Sequence, residues 1–270
     1  MDKPQLIASD VDGTLLTPTE ELSPRTRDLV HRVIADGTPF VLVSGRPPRW
    51  IPPIAGAAGL TGYAVCANGA VLYDIGADRV LGFHGLEPVL LHDLADALEH
   101  ALPGCRLAAE RVGVRAADQG LRHFVIEHEY YNPWGDGEGM TAPRGEVLGH
   151  KAVKLLVSKT GMSSDEMVTA AEAALGDAVN ITFSTGAGLI ELSAPGITKA
   201  TGLAEVAERL AVDQDRVIAF GDMPNDLAML GWAGHGVAMA NAHPAVRAAA
   251  DEVTAPNSED GVAQVLERWF

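Results

Sequence analysis

Both ends of the chain alternate short apolar runs with amphipathic helical stretches. The first such stretch reads "LIA" at 6–8, "SPRTRDLVHRVIADG" at 23–37 and "PFVLVSG" at 39–45. Ser23 is placed to cap the helix, Pro24 to open it and Gly37 to end it, with Leu29, Val30, Val33 and Ile34 on its inner face. Strand, helix and strand in that order imply parallel strands joined by a right-handed crossover. The same alternation returns near the C-terminus. "TKATGLAEVAERLAV" reads as a helix with Leu203, Val206, Ala207 and Leu210 on one side, "RVIAF" as a strand, and "GDMPNDLAML" as a turn into another helix. An α/β class with a parallel sheet is expected.

Between these ends the pattern changes. Asn68-Gly69 within "YAVCANGAVLYD" signals a hairpin. The four prolines of "RPPRWIPPIAGAAGL" limit any helix there to short pieces, and its shape is left open. From about His84 a helix-like "EPVLLHDLADALEHAL" precedes short strands expected at "CRLAA" and "VGVRAA", then a polar, aromatic and glycine-rich region. A strand "AVKLLVS", a helix opened by a capping box from Ser163 to Glu166, and strands around "AVNITFS" and "GLIELS" follow. Residues 84–192 are therefore expected to form an inserted α+β domain within a core made of 1–83 and 193–270.

Charge narrows the partners. With 36 acidic against 20 basic residues the formal charge is −16, and the basic residues are scattered, which argues against nucleic acid and against a membrane surface. Cys66 and Cys105 form no metal or disulfide pattern and are expected as buried small residues. No basic-then-apolar leader opens the sequence, and no apolar run nears the roughly 20 residues that span a bilayer, so a cytoplasmic protein is expected. The nine histidines lack metal-ligand spacing, and no P-loop motif occurs.

Four polar clusters fall where an α/β sheet puts its binding crevice: Asp10, Asp12 and Thr14; Ser44; Lys199; and Asp222, Asn225 and Asp226. Asp10 and Asp12 are two apart at the end of an apolar run, so strand periodicity would set them side by side on one face. Paired carboxylates repel, and such a pair calls for a cation, a shared proton or a chemical task. Carboxylates suit a hard divalent cation, a hydroxyl and an ammonium suit phosphate oxygens, and one carboxylate can serve as nucleophile. Lys199 near a helix start opposes the helix dipole, an unfavourable place for a cation unless an anion lies close. Phosphoryl transfer would use the whole set.

The order D-x-D-G-T-L at 10–15, S-G-R-P at 44–47, a lone lysine in "GITKATGL" and G-D-x-x-N-D at 221–226 resembles the haloacid dehalogenase superfamily, and most closely its Cof-type phosphatases with a C2B-like cap. The resemblance implies a Rossmann-like core with an inserted cap of C2 type that sets specificity. It implies a Mg²⁺-dependent phosphatase acting on a small phosphorylated metabolite, sugar phosphates first and flavin or pyridoxal phosphates second. By that resemblance Asp10 attacks phosphorus to give an aspartyl-phosphate, and Asp12 protonates the leaving alkoxide and then activates water. The acid role demands surroundings that favour a protonated carboxyl. Asp10, the Asp12 carbonyl and Asp222 would bind Mg²⁺, and Ser44 and Lys199 the phosphoryl oxygens. Thr14, Gly45, Asn225 and Asp226 would support them, Thr14 by orienting Asp12.

Two alternatives share these residues. A phosphomutase-like transferase would return the phosphoryl group to a sugar, and a non-catalytic sensor would only bind a phosphate ligand. In the inserted domain Arg115, Arg122, His123, Tyr130, Tyr131 and Trp134 are able to contribute to recognition, and none is assigned.

Overall fold

The computed structural model describes residues 2–132 and 139–270. The chain divides into two compact units, one built from residues up to Gly82 and from Thr198 onward, the other Phe83–Ile197. The second unit thus starts one residue before and ends five after the expected 84–192. Its later end has a local cause: the Ile197 amide bonds back to the Ala194 carbonyl at 3.1 Å and the Ser193 hydroxyl to the Ile197 carbonyl at 3.3 Å, so the chain turns on itself before leaving.

In chain order the strands are β1 (Leu6–Ser9), β2 (Phe40–Val43), β3 (Tyr63–Cys66), β4 (Val71–Asp74), β5 (Arg79–Phe83), β6 (Arg106–Glu110), β7 (Phe124–Ile126), β8 (Met140–Thr141), β9 (Lys154–Ser158), β10 (Asn180–Thr182), β11 (Leu189–Ser193), β12 (Val217–Gly221), β13 (His235–Ala238) and β14 (Glu252–Val253). The helices are α1 (Pro24–Ala35), α2 (Ile51–Ala58), α3 (Pro88–Ala101), α4 (Arg144–Leu148), α5 (Ser164–Leu175), α6 (Lys199–Arg209), α7 (Leu227–Trp232), α8 (Pro244–Ala249) and α9 (Gly261–Leu266).

The first sheet has eight strands in the order β14-β13-β12-β1-β2-β3-β4-β5. From β14 to β3 the pairs are parallel, and β3 meets β4 antiparallel. β1 and β2 are buried at every position, which is why they read as unbroken apolar runs rather than alternating ones. Each fully buried Leu or Ile here contributes about 1.5–3 kcal/mol of apolar burial. In register Ser9 faces Phe220 on one side and Leu42 on the other, so the chain leaves β12, β1 and β2 at neighbouring points.

Ser23 caps α1 by accepting from the Thr26 amide at 3.1 Å. Leu29, Val30 and Val33 are buried, whereas Ile34 is 38% exposed: it lies past the edge of the inner stripe, where Thr26 takes the remaining buried place. The proline-rich stretch forms a short 3₁₀ turn at Pro48–Trp50 and then α2. Pro52 and Pro53 sit in its first turn, where amides have no helical partner to lose. Cys66 and Cys105 are buried free thiols.

The second sheet has six strands in the order β10-β11-β9-β6-β7-β8, antiparallel except for β7 with β8. Leu91, Leu94 and Leu98 of α3 and Met167 and Ala171 of α5 pack on Leu107, Ala109, Leu155, Val157, Ile190 and Leu192 of the sheet. The capping box of α5 is formed, with the Ser163 amide donating to Glu166 at 2.8 Å and the Glu166 amide to Ser163 Oγ at 3.3 Å. The strand expected at "VGVRAA" is absent: Asp118 Oδ2 accepts from the Val114 and Arg115 amides at 2.6 and 3.1 Å, which takes the donors a ladder needs. β6 pairs with β7 instead. No described helix is long and apolar enough to cross a membrane.

Candidate active site

β1 ends at Ser9, and Val11–Leu15 form a tight turn in which Asp12 has extended angles and Gly13 a φ of +74°. The period-two rule therefore stops one residue short of Asp10, and the two aspartates do not lie side by side as the sequence suggested. Asp10 is buried beside Lys199, while the Asp12 side chain is 51% exposed and accepts on both oxygens from Arg46, at 2.8 Å from Nε and 2.5 Å from Nη2. Gly13 cannot be replaced cheaply: besides its positive φ, a Cβ there would stand 2.3 Å from Asp222 Oδ2.

Lys199 opens α6 and is 1% exposed, with Nζ donating at 2.6 Å to Asp10 Oδ1 and at 2.6 Å to Asp226 Oδ1. The misplaced cation thus has its anions. Burial alone would depress the ammonium, but the two carboxylates overcome it and hold its pKa above the ordinary lysine value. Asp226 Oδ2 accepts from the Asp222 and Met223 amides at 2.9 and 3.0 Å, so both its oxygens are engaged and it braces the turn after β12. Thr14 donates to Asp222 Oδ1 at 2.9 Å; it orients Asp222 and not Asp12, because the turn carries Asp12 the other way.

Desolvation pushes the Asp10 carboxyl well above the ordinary carboxylate range, against the pull of Lys199 and with added repulsion from Asp226, Asp222 and Asp12. Asp222 is pushed up to about 7, by burial first and then by Asp226. One ammonium does not neutralise three buried carboxylates. Asp10, Asp222 and Asp226 each offer an oxygen, and these lie within 4.8 Å of one another, a set of hard donors that fits a divalent cation. Asn225 adds a buried Oδ1 with no hydrogen-bond partner among the described residues.

Ser44 follows β2. Its Oγ accepts from the Arg46 amide at 3.0 Å, which leaves the hydroxyl proton for another acceptor. Two residues unassigned from sequence also stand here. Arg46 holds Asp12, and Asn68, read there only as a turn residue, accepts from Asn225 Nδ2 at 3.1 Å. In the second unit Arg122 pairs with Glu146 at 3.3 Å, His123 Nε2 accepts from the Asp118 amide, and Tyr130 is buried with a hydroxyl unpartnered among the described residues. Arg115 gives its amide to Asp118, Tyr131 is exposed, and Trp134 lies outside the described residues.

A parallel-sheet core that gathers carboxylates, a buried lysine and a hydroxyl at neighbouring strand ends fits phosphoryl-transfer chemistry. Residues 7–266 match the haloacid dehalogenase-like hydrolases, and the chain belongs to that family. It is 32% identical to the 5-amino-6-(5-phospho-D-ribitylamino)uracil phosphatase YitU of Bacillus subtilis, over 99% of this chain and 98% of that protein. It is 28% identical to the pyridoxal phosphate phosphatase YbhA of Escherichia coli, with 97% of each covered. A crystal structure of a haloacid dehalogenase-like hydrolase from Bacteroides thetaiotaomicron superposes with a TM-score of 0.77 at 27% identity, over 99% of this chain and 100% of that one. The chain is a phosphatase of the Cof-type branch, a phosphoric monoester hydrolase.

Proposed function

We propose that the chain is a Mg²⁺-dependent phosphatase that hydrolyses a small phosphorylated metabolite through an aspartyl-phosphate on Asp10. The observation that carries this reading is the convergence of Asp10, Lys199 and Asp222, two of them joined at 2.6 Å, at the ends of β1 and β12 and the start of α6. Asp10 and Asp222, with the Asp12 carbonyl, would hold Mg²⁺, and the ion would supply charge neutralisation for a phosphate dianion on an acidic protein. Ser44 would donate its hydroxyl proton to a phosphoryl oxygen, and Lys199 would offset the charge on the equatorial oxygens.

In the first step an Asp10 oxygen bonds to phosphorus as the ester oxygen leaves and takes a proton from Asp12. In the second, Asp12 as carboxylate removes a proton from water, which attacks phosphorus and frees Asp10 and inorganic phosphate. Asp12 has to turn off Arg46 to reach a leaving group, since both its oxygens are engaged there. The unit Phe83–Ile197 is the proposed specificity domain.

The family resemblance puts sugar phosphates first. The relatives named above act on a phosphorylated ribityl chain and on a phosphorylated cofactor, and these two compounds head the panel to assay. The test is phosphate release from a panel of phosphorylated metabolites ranked by kcat/KM, with Mg²⁺ and with EDTA. Magnesium-dependent release from at least one compound is expected; full activity of Asp10→Asn, or indifference to EDTA, would sink the reading. Isomerised sugar phosphate in place of released phosphate would favour the mutase alternative.

A further inference from the structure

The β3–β4 turn is more than a connection. It is a four-residue loop, Ala67 to Ala70, in which Ala67, Asn68 and Gly69 all have positive φ, at 51°, 58° and 101°. Two of these, Ala67 and Asn68, carry a side chain at positive φ, which costs conformational free energy. The conformation is held by partners at three separate places. Asn68 donates its amide to the Ser44 carbonyl at 3.0 Å and Ala67 donates to the Arg46 carbonyl at 2.9 Å, which ties the turn to the segment after β2. Gly69 lies so close to the start of α6 that a Cβ would stand 1.9 Å from the Thr198 carbonyl oxygen, one residue before Lys199. Asn68 Oδ1 accepts from Asn225 Nδ2, on the 3₁₀ turn Pro224–Asp226 between Asp222 and Asp226.

The last contact has a chemical consequence. With Nδ2 turned toward Asn68, the Asn225 amide leaves Oδ1 buried without a donor among the described residues. A carbonyl oxygen in that state suits a cation or a water bound to one, and would repel a bare phosphate oxygen. We infer that Asn68 is a positioning residue of the active site: its Oδ1 sets the orientation of the Asn225 amide while its backbone anchors the Ser44 segment. The inference rests on the proposed phosphatase reading. Asn68 touches none of the reacting atoms in this role and acts through Asn225.

The test uses the full chain. Asn68→Gly keeps a residue at ease at positive φ and removes the acceptor. It is expected to lower kcat/KM for the best phosphomonoester by about 10- to 100-fold, the range over which partners of ligating groups act. Titration with Mg²⁺ alone is expected to give a Kd raised about 10-fold. In an Asn225→Ala background the same change should cost less than about threefold, since the group it orients is gone. A loss under about threefold in the wild-type background, or an equal loss in both, overturns the inference.

A second readout needs no turnover. The Asn225 side-chain amide protons, followed by ¹H–¹⁵N correlation, should shift and exchange faster in Asn68→Gly; unchanged signals overturn the inference. A wild type that releases no phosphate from the panel defeats the proposed function while this result remains readable.

Discussion

Two buried lysines, one in each unit, sit in differently charged surroundings. Lys154 on β9 meets Glu191 of β11 at 2.5 Å, and Ser184 donates to the other Glu191 oxygen at 2.6 Å. Lys199 meets Asp10 and Asp226, and Asp222 stands close enough that three carboxylates share one ammonium. Among the described residues no other triplet of acidic or sulfur and imidazole groups comes together in this way. The surplus appears in the titration of Asp10 and Asp222, both pushed upward by burial and mutual repulsion. Burying uncompensated charge is costly, and clusters of this kind concentrate at functional sites.

The sharpest way to break this contrast is to remove the proposed nucleophile. Asp10→Asn is expected to lower kcat by at least about 10⁴-fold and to abolish phosphoenzyme trapping by acid quench, as loss of a nucleophile does elsewhere. Next comes the charge itself. Lys199→Met should cost about 3–5 kcal/mol in urea unfolding, because Asp10 and Asp226 are left buried and unpaired. Lys154→Met should cost a similar amount, because Glu191 is left buried without its cation.

A smaller effect concerns pH. A carboxyl raised in the folded state stabilises below its unfolded value and loses that contribution as pH rises through the folded one. With Asp222 pushed up to about 7, the EDTA-treated protein should lose at least about 4 °C of Tm between pH 4 and pH 8, and Asp222→Asn should flatten the curve. The smallest effect is at Glu252, held down to about 2 by hydrogen bonds from Arg268 first and then His235. Its contribution is present above about 4.5 and lost as pH falls through 2; being partly exposed, it is worth less than about 1 kcal/mol, read as a Glu252→Gln difference in acid unfolding.

Much of this was legible in one dimension. Ser23 with Pro24, the Ser163–Glu166 capping box and the unbroken apolar strands are local signals, because caps and periodicity depend on residues a few positions apart. The polar clusters were legible for the same reason: each closes an apolar run. The misses have equally local origins. "VGVRAA" has an apolar alternation, but Asp118 diverts its amides into a turn. Asp12 was assigned the face of Asp10 by a strand rule that ends at Ser9. Asn68 looked complete as a hairpin residue, and nothing nearby in sequence announces that Asn225, 157 positions away, depends on it.

The amino-acid sequence by itself determined the parallel core and the kinds of polar groups that close its strands, since these follow from periodicity and from residue type at strand ends. Only the tertiary structure decided which carboxylate meets which donor. Lys199 reaches Asp10 across 189 positions and Thr14 reaches Asp222 across 208. Pairings of that range are set by strand order and by the packing of glycine turns against neighbouring backbone, and no window along the chain contains both partners.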